Sequence, residues 1–171
     1  MKILKKILIG IVVLITILLI VAAIAPKKYD IEKEIVINKP RTEVFNYIKS
    51  VKNQDNYGVW QLADPNMKKS YDGTDGTVGF KYSWESEKMG NGIQTITLVQ
   101  EGERFETDLD FGFGTPAHAY FITKDAGTDK TTVIWGIKGE TPFPFNIMNL
   151  VYDMGDDFEQ GLNNLKAVVE K

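Results

Sequence analysis

His118 is the only imidazole in this 171-residue chain. With Tyr82, Tyr120 and Tyr152 it completes a small set of side chains able to move a proton amid an otherwise apolar lining. Nothing beside His118 in sequence supplies an obvious partner, so its expected role is that of a satisfied or exposed strand histidine. Glu106, Asp108 and Asp110 alternate along one segment, and on a strand they would share a face and offer three carboxylates to a divalent cation. Residues two apart on a strand lie about 7 Å from one another, too far for one strand to chelate through bonds of about 2.3–2.6 Å. A solvated convex face is the better reading. Gly73, Gly76 and Gly79 lack a following Lys-Ser/Thr and run into a strand, which makes them turn and bulge glycines rather than a phosphate-cradling loop. The absence of Cys removes thiol nucleophiles, disulfides and thiolate metal sites, and a single His removes any site needing two imidazoles. The sequence calls for no cofactor and no metal.

Aromatic side chains are the more informative group. Phe80, Tyr82 and Trp84 alternate with Lys81, Ser83 and Glu85, and Leu109 and Phe111 alternate with Asp108 and Asp110. Trp135 falls on the apolar side of its own segment, so these six residues are expected to share a concave face. Core packing explains such a stripe about as well as a ligand pocket does.

The elements that would position them follow from periodicity. Residues 31–37 read as a strand, and Pro40 begins a helix on which Val44, Phe45, Ile48 and Val51 recur at helical spacing. A short second helix or turn carries Tyr57 and Trp60. Short alternating segments separated by turn residues then signal an antiparallel sheet, with a hairpin expected at Asn91-Gly92 and the last pair at residues 117–123 and 131–137. Ile147, Val151, Met154, Phe158, Leu162, Leu165 and Val169 step by three or four, predicting one long amphipathic helix. Gly155 and Gly161 within it cost about 1 kcal/mol each against Ala and need a packing reason.

The first segment carries the strongest signal. Residues 7–25 are 19 positions without a charge, 14 of them Ile, Leu or Val. As a helix they reach about 28 Å, the thickness of a bilayer's hydrocarbon core, with insertion favoured by about 5 kcal/mol. A cleaved secretory signal is the competing reading, with Lys2, Lys5 and Lys6 as its basic region and Ala23-Ile24-Ala25 as its cleavage site. The length of the run and Pro26 directly after it argue for an uncleaved single-pass anchor in the cell membrane. Lys27 and Lys28 blur the positive-inside comparison, but the dense N-terminal cluster favours the N-terminus in the cytoplasm and the domain outside. Beyond Lys28 the chain holds 15 basic and 23 acidic residues. A body of that sign is repelled by phosphate backbones, so nucleic acid is excluded as a partner.

The order of elements resembles the START-like (SRPBCC) helix-grip superfamily, and within it the polyketide cyclase/dehydrase and lipid transport group, whose members often carry an N-terminal membrane segment. The resemblance rests on Ile35-Val36-Ile37-Asn38-Lys39-Pro40 leading to Val44-Phe45, and on Asp64-Pro65-Asn66-Met67. It continues in the run from Val78 through Gly79, Phe80, Lys81, Tyr82, Ser83, Trp84 and Glu85 to Ser86, and in Leu109-Asp110-Phe111-Gly112. It ends on Asp157-Phe158-Glu159-Gln160-Gly161-Leu162 and the residues to Lys166. It implies an α+β fold: a curved antiparallel sheet of about seven strands wrapped around a long C-terminal helix, with residues 1–28 as membrane anchor and 29–171 as the ligand-binding domain. It further implies an apolar cavity between sheet and terminal helix, for which Trp60, Phe80, Tyr82, Trp84, Leu109, Phe111, His118, Tyr120, Trp135, Met148 and Tyr152 are the candidate lining. The implied partners are a hydrophobic small molecule or lipid, and the bilayer through residues 7–25. A cyclase or dehydratase, or an interaction module with a filled cavity, are the rival functions, and the resemblance offers no invariant catalytic set. One departure stands out: Gln54 occupies a linker position where such proteins usually carry an aromatic, which would make that rim more polar.

Overall fold

A computed structural model describes residues 2–171 of the chain. The apolar run forms helix α1 (Lys2–Ile24), whose Ile, Leu and Val side chains from Ile3 to Ile20 are all exposed and whose one buried residue is Ala22. Among the described residues, nothing but the foot of this helix is covered by protein. Pro26 has no N–H and so cannot bond the carbonyl of Ala22, as residue i+4 of a continuing helix would. Asn146 fills that place: its Nδ2 donates to Ala22 O at 2.6 Å and Ala25 O at 2.9 Å. Asn149 Nδ2 donates to Pro26 O at 3.0 Å. Helix α1 is therefore fastened to the domain across more than a hundred residues of sequence.

Strand β1 (Lys28–Ile37) follows almost immediately, then α2 (Arg41–Lys49), a 3₁₀ turn (Val51–Asn56) and the short α3 (Val59–Ala63). The sheet is completed by β2 (Lys68–Asp72), β3 (Lys81–Ser86), β4 (Gly90–Gln100), β5 (Arg104–Asp110), β6 (Ala117–Asp125) and β7 (Thr131–Glu140). All pairings are antiparallel, in the order β1-β7-β6-β5-β4-β3-β2. A register shift in β4 between Ile96 and Leu98 helps the sheet to curl. Helix α4 (Met154–Val169) lies across the concave face with Phe158, Gly161, Leu162, Leu165 and Val169 buried.

Two local expectations are corrected. The hairpin between β3 and β4 turns at residues 87–89, not at Asn91-Gly92: Ser86 pairs with Gly90, and Gly90 takes a left-handed φ of 73°. Ser86 Oγ accepts from the amides of Lys88 and Met89 and so fixes the tight three-residue loop. Gly92 instead lies opposite Trp84, and a Cβ there would stand 2.3 Å from the indole. The terminal helix is also shorter than predicted. Phe145–Leu150 is a 3₁₀ turn held to the foot of α1 by Asn146 and Asn149, and α4 starts only after Asp153, whose Oδ1 caps it by accepting from Gly155 N at 2.8 Å. Ile147 and Val151 thus fall outside the helix. Gly161 has its packing reason, because a Cβ would meet the Trp135 ring at 2.6 Å, and Gly155 lies close against Lys33.

Candidate functional site: an uncharged cavity under the terminal helix

The register puts Tyr82, Gln94, Leu109 and Ala117 in one row across the sheet, and Ile96, Thr107, Ala119 and Ile137 in the next. Both rows face inward. Between them, α3 and α4 lies a cavity of about 260 Å³, near the small end of the roughly 300–1,000 Å³ usual for ligand pockets. Its apolar walls come from Trp60, Trp84, Leu109, Phe111, Trp135 and Phe158, with Tyr29, Tyr152 and Met154 toward its mouth. Trp135 stacks on Phe121 at 4.8 Å and meets Phe158 at 4.5 Å, so it belongs to the core and to the wall at once. Trp84 is only half-buried and packs edge-on to Phe111 at 6.0 Å.

Of the residues singled out from sequence, Trp60, Trp84, Leu109, Phe111, Trp135, Tyr120 and Tyr152 border the cavity. Tyr120 does so with its phenol turned away: its hydroxyl donates to Glu32 Oε2 at 2.6 Å, and burial, aided by that carboxylate, pushes its pKa up to about 12. Phe80 and Tyr82 are core residues outside the lining, with the Tyr82 hydroxyl donating to Met67 Sδ at 3.3 Å. Burial raises the Tyr82 phenol well above its ordinary value. His118 is on the opposite face of the sheet from the cavity, where Nδ1 lies 2.9 Å from Asp108 Oδ1 and Nε2 3.4 Å from Glu106 Oε2. Its register partners alternate outward, so a histidine on this strand position cannot reach a ligand inside. Glu106 also pairs with Arg104, and Asp110 Oδ1 accepts from Gly112 N at 2.8 Å. The three carboxylates are thus engaged along an outer face. Met148 lies outside the cavity as well, because its 3₁₀ turn sits beside the foot of α1 rather than in α4.

Four polar side chains outside the candidate lining reach the cavity: Gln54, Gln61, Gln94 and Thr107. Gln94 Nε2 donates to Thr107 Oγ1 at 3.0 Å. Gln61 Nε2 makes a long contact, 3.5 Å, to Gln54 Oε1 and the side chain also meets the Tyr82 hydroxyl, while Gln61 Oε1 is packed against Gly58 with no hydrogen-bond partner. Gln54 had a signal in the sequence as a departure from the aromatic expected there, and Thr107 keeps step with Leu109 and Phe111 on the apolar side of its alternation. No Asp, Glu, Lys, Arg or His lines the cavity among the described residues. At the mouth, the Tyr152 hydroxyl donates to Asp157, whose carboxyl desolvation holds above its ordinary value.

A curled antiparallel sheet gripping one terminal helix over an apolar cavity defines the helix-grip class. The family model for polyketide cyclase / dehydrase and lipid transport matches residues 28–170, and the chain belongs to that family. Solved structures agree on the fold. Norcoclaurine synthase from Thalictrum flavum, solved with dopamine and hydroxybenzaldehyde, superposes with a TM-score of 0.63 at 12% identity, covering 88% of this chain and 91% of that one. The Aha1 dimer from Colwellia psychrerythraea gives 0.59 at 12% identity, over 83% and 96%. CalU16 from Micromonospora echinospora gives 0.56 at 11%, over 85% and 86%. No curated protein sequence matches this chain.

Proposed function

We propose that this protein binds a neutral, mostly apolar molecule, in a domain held at the cell membrane by α1. The observation that carries the ligand class is the uncharged cavity, whose polar lining is confined to the neutral side chains of Gln54, Gln61, Gln94 and Thr107 beside its aromatic hydroxyls. An ionised carboxylate would enter with no cation to meet it, at a cost of several kcal/mol. A neutral hydroxyl or amide pays no such cost, and the amides and hydroxyl of Gln54, Gln61, Gln94 and Thr107 offer it neutral partners. Binding is favoured over acid–base catalysis because His118 is on the other face and burial moves the phenols of Tyr29, Tyr82 and Tyr120 away from neutrality.

Retention of the anchor is supported by Asn146, which is fully buried and would lose both acceptors if the chain were cut before Pro26. The three lysines before α1 favour a domain on the outer side of the membrane. Native mass spectrometry of the full chain released in detergent tests the binding, alongside titration with a long-chain alcohol and the carboxylic acid of equal length at neutral pH. A reproducible co-purified neutral mass, and preference for the alcohol, are expected. An unliganded mass with no response to either probe overturns the reading. Intact mass of the membrane fraction checks the anchor, and a mature chain beginning at Pro26 refutes its retention.

A further inference from the structure

Two loops of the domain carry no charge at all: residues 111–117 and residues 141–152. They meet at the foot of α1, where Phe113 packs on Phe145 at 6.5 Å. Their large apolar side chains stand out from the protein, with Phe113 61% exposed, Phe145 61%, Met148 52%, Leu150 52% and Val151 75%. The depth of this patch follows from the anchor. Asn146 bonds the carbonyls of Ala22 and Ala25, the last turn of the charge-free helix, so the Phe145–Leu150 turn sits level with the end of the span. Only Pro26 and Lys27 separate Ala25 from β1, which leaves the domain no slack to lift away. A groove of about 820 Å³ runs beneath the patch, bounded by Pro26, Lys28, Phe145, Leu150 and Val151. It shares Tyr29, Tyr152 and Met154 with the inner cavity.

We infer that residues 111–114 and 143–152 insert into the bilayer surface around α1, and that the groove is the passage by which a ligand moves from the bilayer into the cavity. The anchor then has a second role: it holds the mouth against the lipid. Exposed large apolar side chains lie elsewhere on the domain too, such as Val36, Leu62 and Val78, but outside any charge-free loop. The inference rests on the membrane-anchored reading above, and the test separates the two.

The chain has no Cys, so single cysteines report cleanly. Full-length protein is reconstituted in phosphatidylcholine vesicles with an environment-sensitive fluorophore at Phe145→Cys, Val151→Cys or Phe113→Cys. Leu14→Cys reports on α1 itself. Thr128→Cys is the control, because it lies beyond the Thr131 end of β7, about 30 Å along the strands from Lys28. Spin-labelled lipid should quench positions 14, 113, 145 and 151 and spare 128. Quenching at 14 without 113, 145 and 151 overturns the docking and leaves the anchor standing; no quenching at 14 removes the anchor and the docking together. For the passage, uptake of a fluorescent long-chain alcohol from the vesicles should slow tenfold or more in Phe145→Asp/Val151→Asp and recover in Phe145→Leu/Val151→Leu. An unchanged uptake rate in the Asp pair overturns the passage, and failure of the Leu pair to recover also counts against it.

Discussion

Replacing Gln61 by Met separates a ligand-facing polar group from an ordinary structural one. Met keeps the length of the side chain and removes both amide atoms. In the free protein Gln61 Oε1 is buried without a partner, a state that costs about 1–3 kcal/mol, and Nε2 returns little through a 3.5 Å contact to Gln54. Removing the amide should therefore raise stability by about 1 kcal/mol, which in a domain of this size lifts Tm by about 2–4 °C. The same change removes an amide from the cavity lining, and with it a hydrogen bond to ligand worth about 0.5–1.5 kcal/mol, so affinity for a long-chain alcohol should fall roughly 2- to 12-fold. The alkane of that length, which has no polar atom, should bind both forms alike. Thermal unfolding of the full chain in detergent and calorimetric titration with the two probes read these quantities. A variant with lower Tm and unchanged alcohol affinity would refute the argument, because Gln61 would then be holding the fold and not awaiting a ligand.

Trp135→Ala opens the aromatic centre formed with Phe121 and Phe158 and should cost about 3–5 kcal/mol, whereas Trp84→Ala, at a half-buried wall, should cost much less and show mainly as weaker ligand binding; melting curves and titrations distinguish them. Gly92→Ala places a Cβ 2.3 Å from the Trp84 indole, so the ring must swing, and the ligand response of tryptophan fluorescence should change with it. His118→Ala should leave ligand affinity unchanged, since the imidazole meets Glu106 and Asp108 on the outer face; a lost response would relocate the site. Glu170 is held below its ordinary carboxyl range by Lys166 and by the Asn38 amide. The unfolded chain therefore takes up that proton first as pH falls, so this stabilisation is present above about pH 4.5 and fades below it. Melting measured from about pH 6 down to about pH 3.5 should show a shallower acid decline in Glu170→Gln.

Alternation made the sheet and its inward rows legible, because side chains on a strand must take turns between faces and only one face here is dry. The same rule misleads where the chain departs from a plain strand. In β4, the apolar Ile93 is 42% exposed while Gln94 points inward, in register with Leu109 and Tyr82. Residue type suggests the reverse, and no local pattern shows that a cavity will accept an amide. Gln61 is invisible for the same reason, since a glutamine on a short helix reads as surface. The Asn91-Gly92 pair carried the strongest short-range turn signal in the chain, yet the turn went to Gly90, because Ser86 satisfies two loop amides and Gly92 is committed to making room for Trp84.

The premature end of the apolar helical pattern at Ile147 and Val151 has a similar cause and a larger consequence. The stepping of three and four residues is real, but the two asparagines of that stretch bond the carbonyls of another element. Pro26 leaves the carbonyl of Ala22 without its helical donor, and Asn146, 124 residues away, supplies one. Such a pairing has no signature in either segment alone. Yet it fixes what lies beside the cavity: Tyr152 and Met154, which line it, follow directly on the turn that holds the last residues of α1. Cutting the tie by Asn146→Leu keeps the site buried and apolar but strands the carbonyls of Ala22 and Ala25, at about 1–3 kcal/mol for each. The anchor should then pivot freely on Pro26. The cavity would keep its affinity for a soluble probe while quenching of a fluorophore at Val151→Cys by spin-labelled lipid declines. Retained quenching in that variant would show that the loops hold the bilayer without help from the anchor.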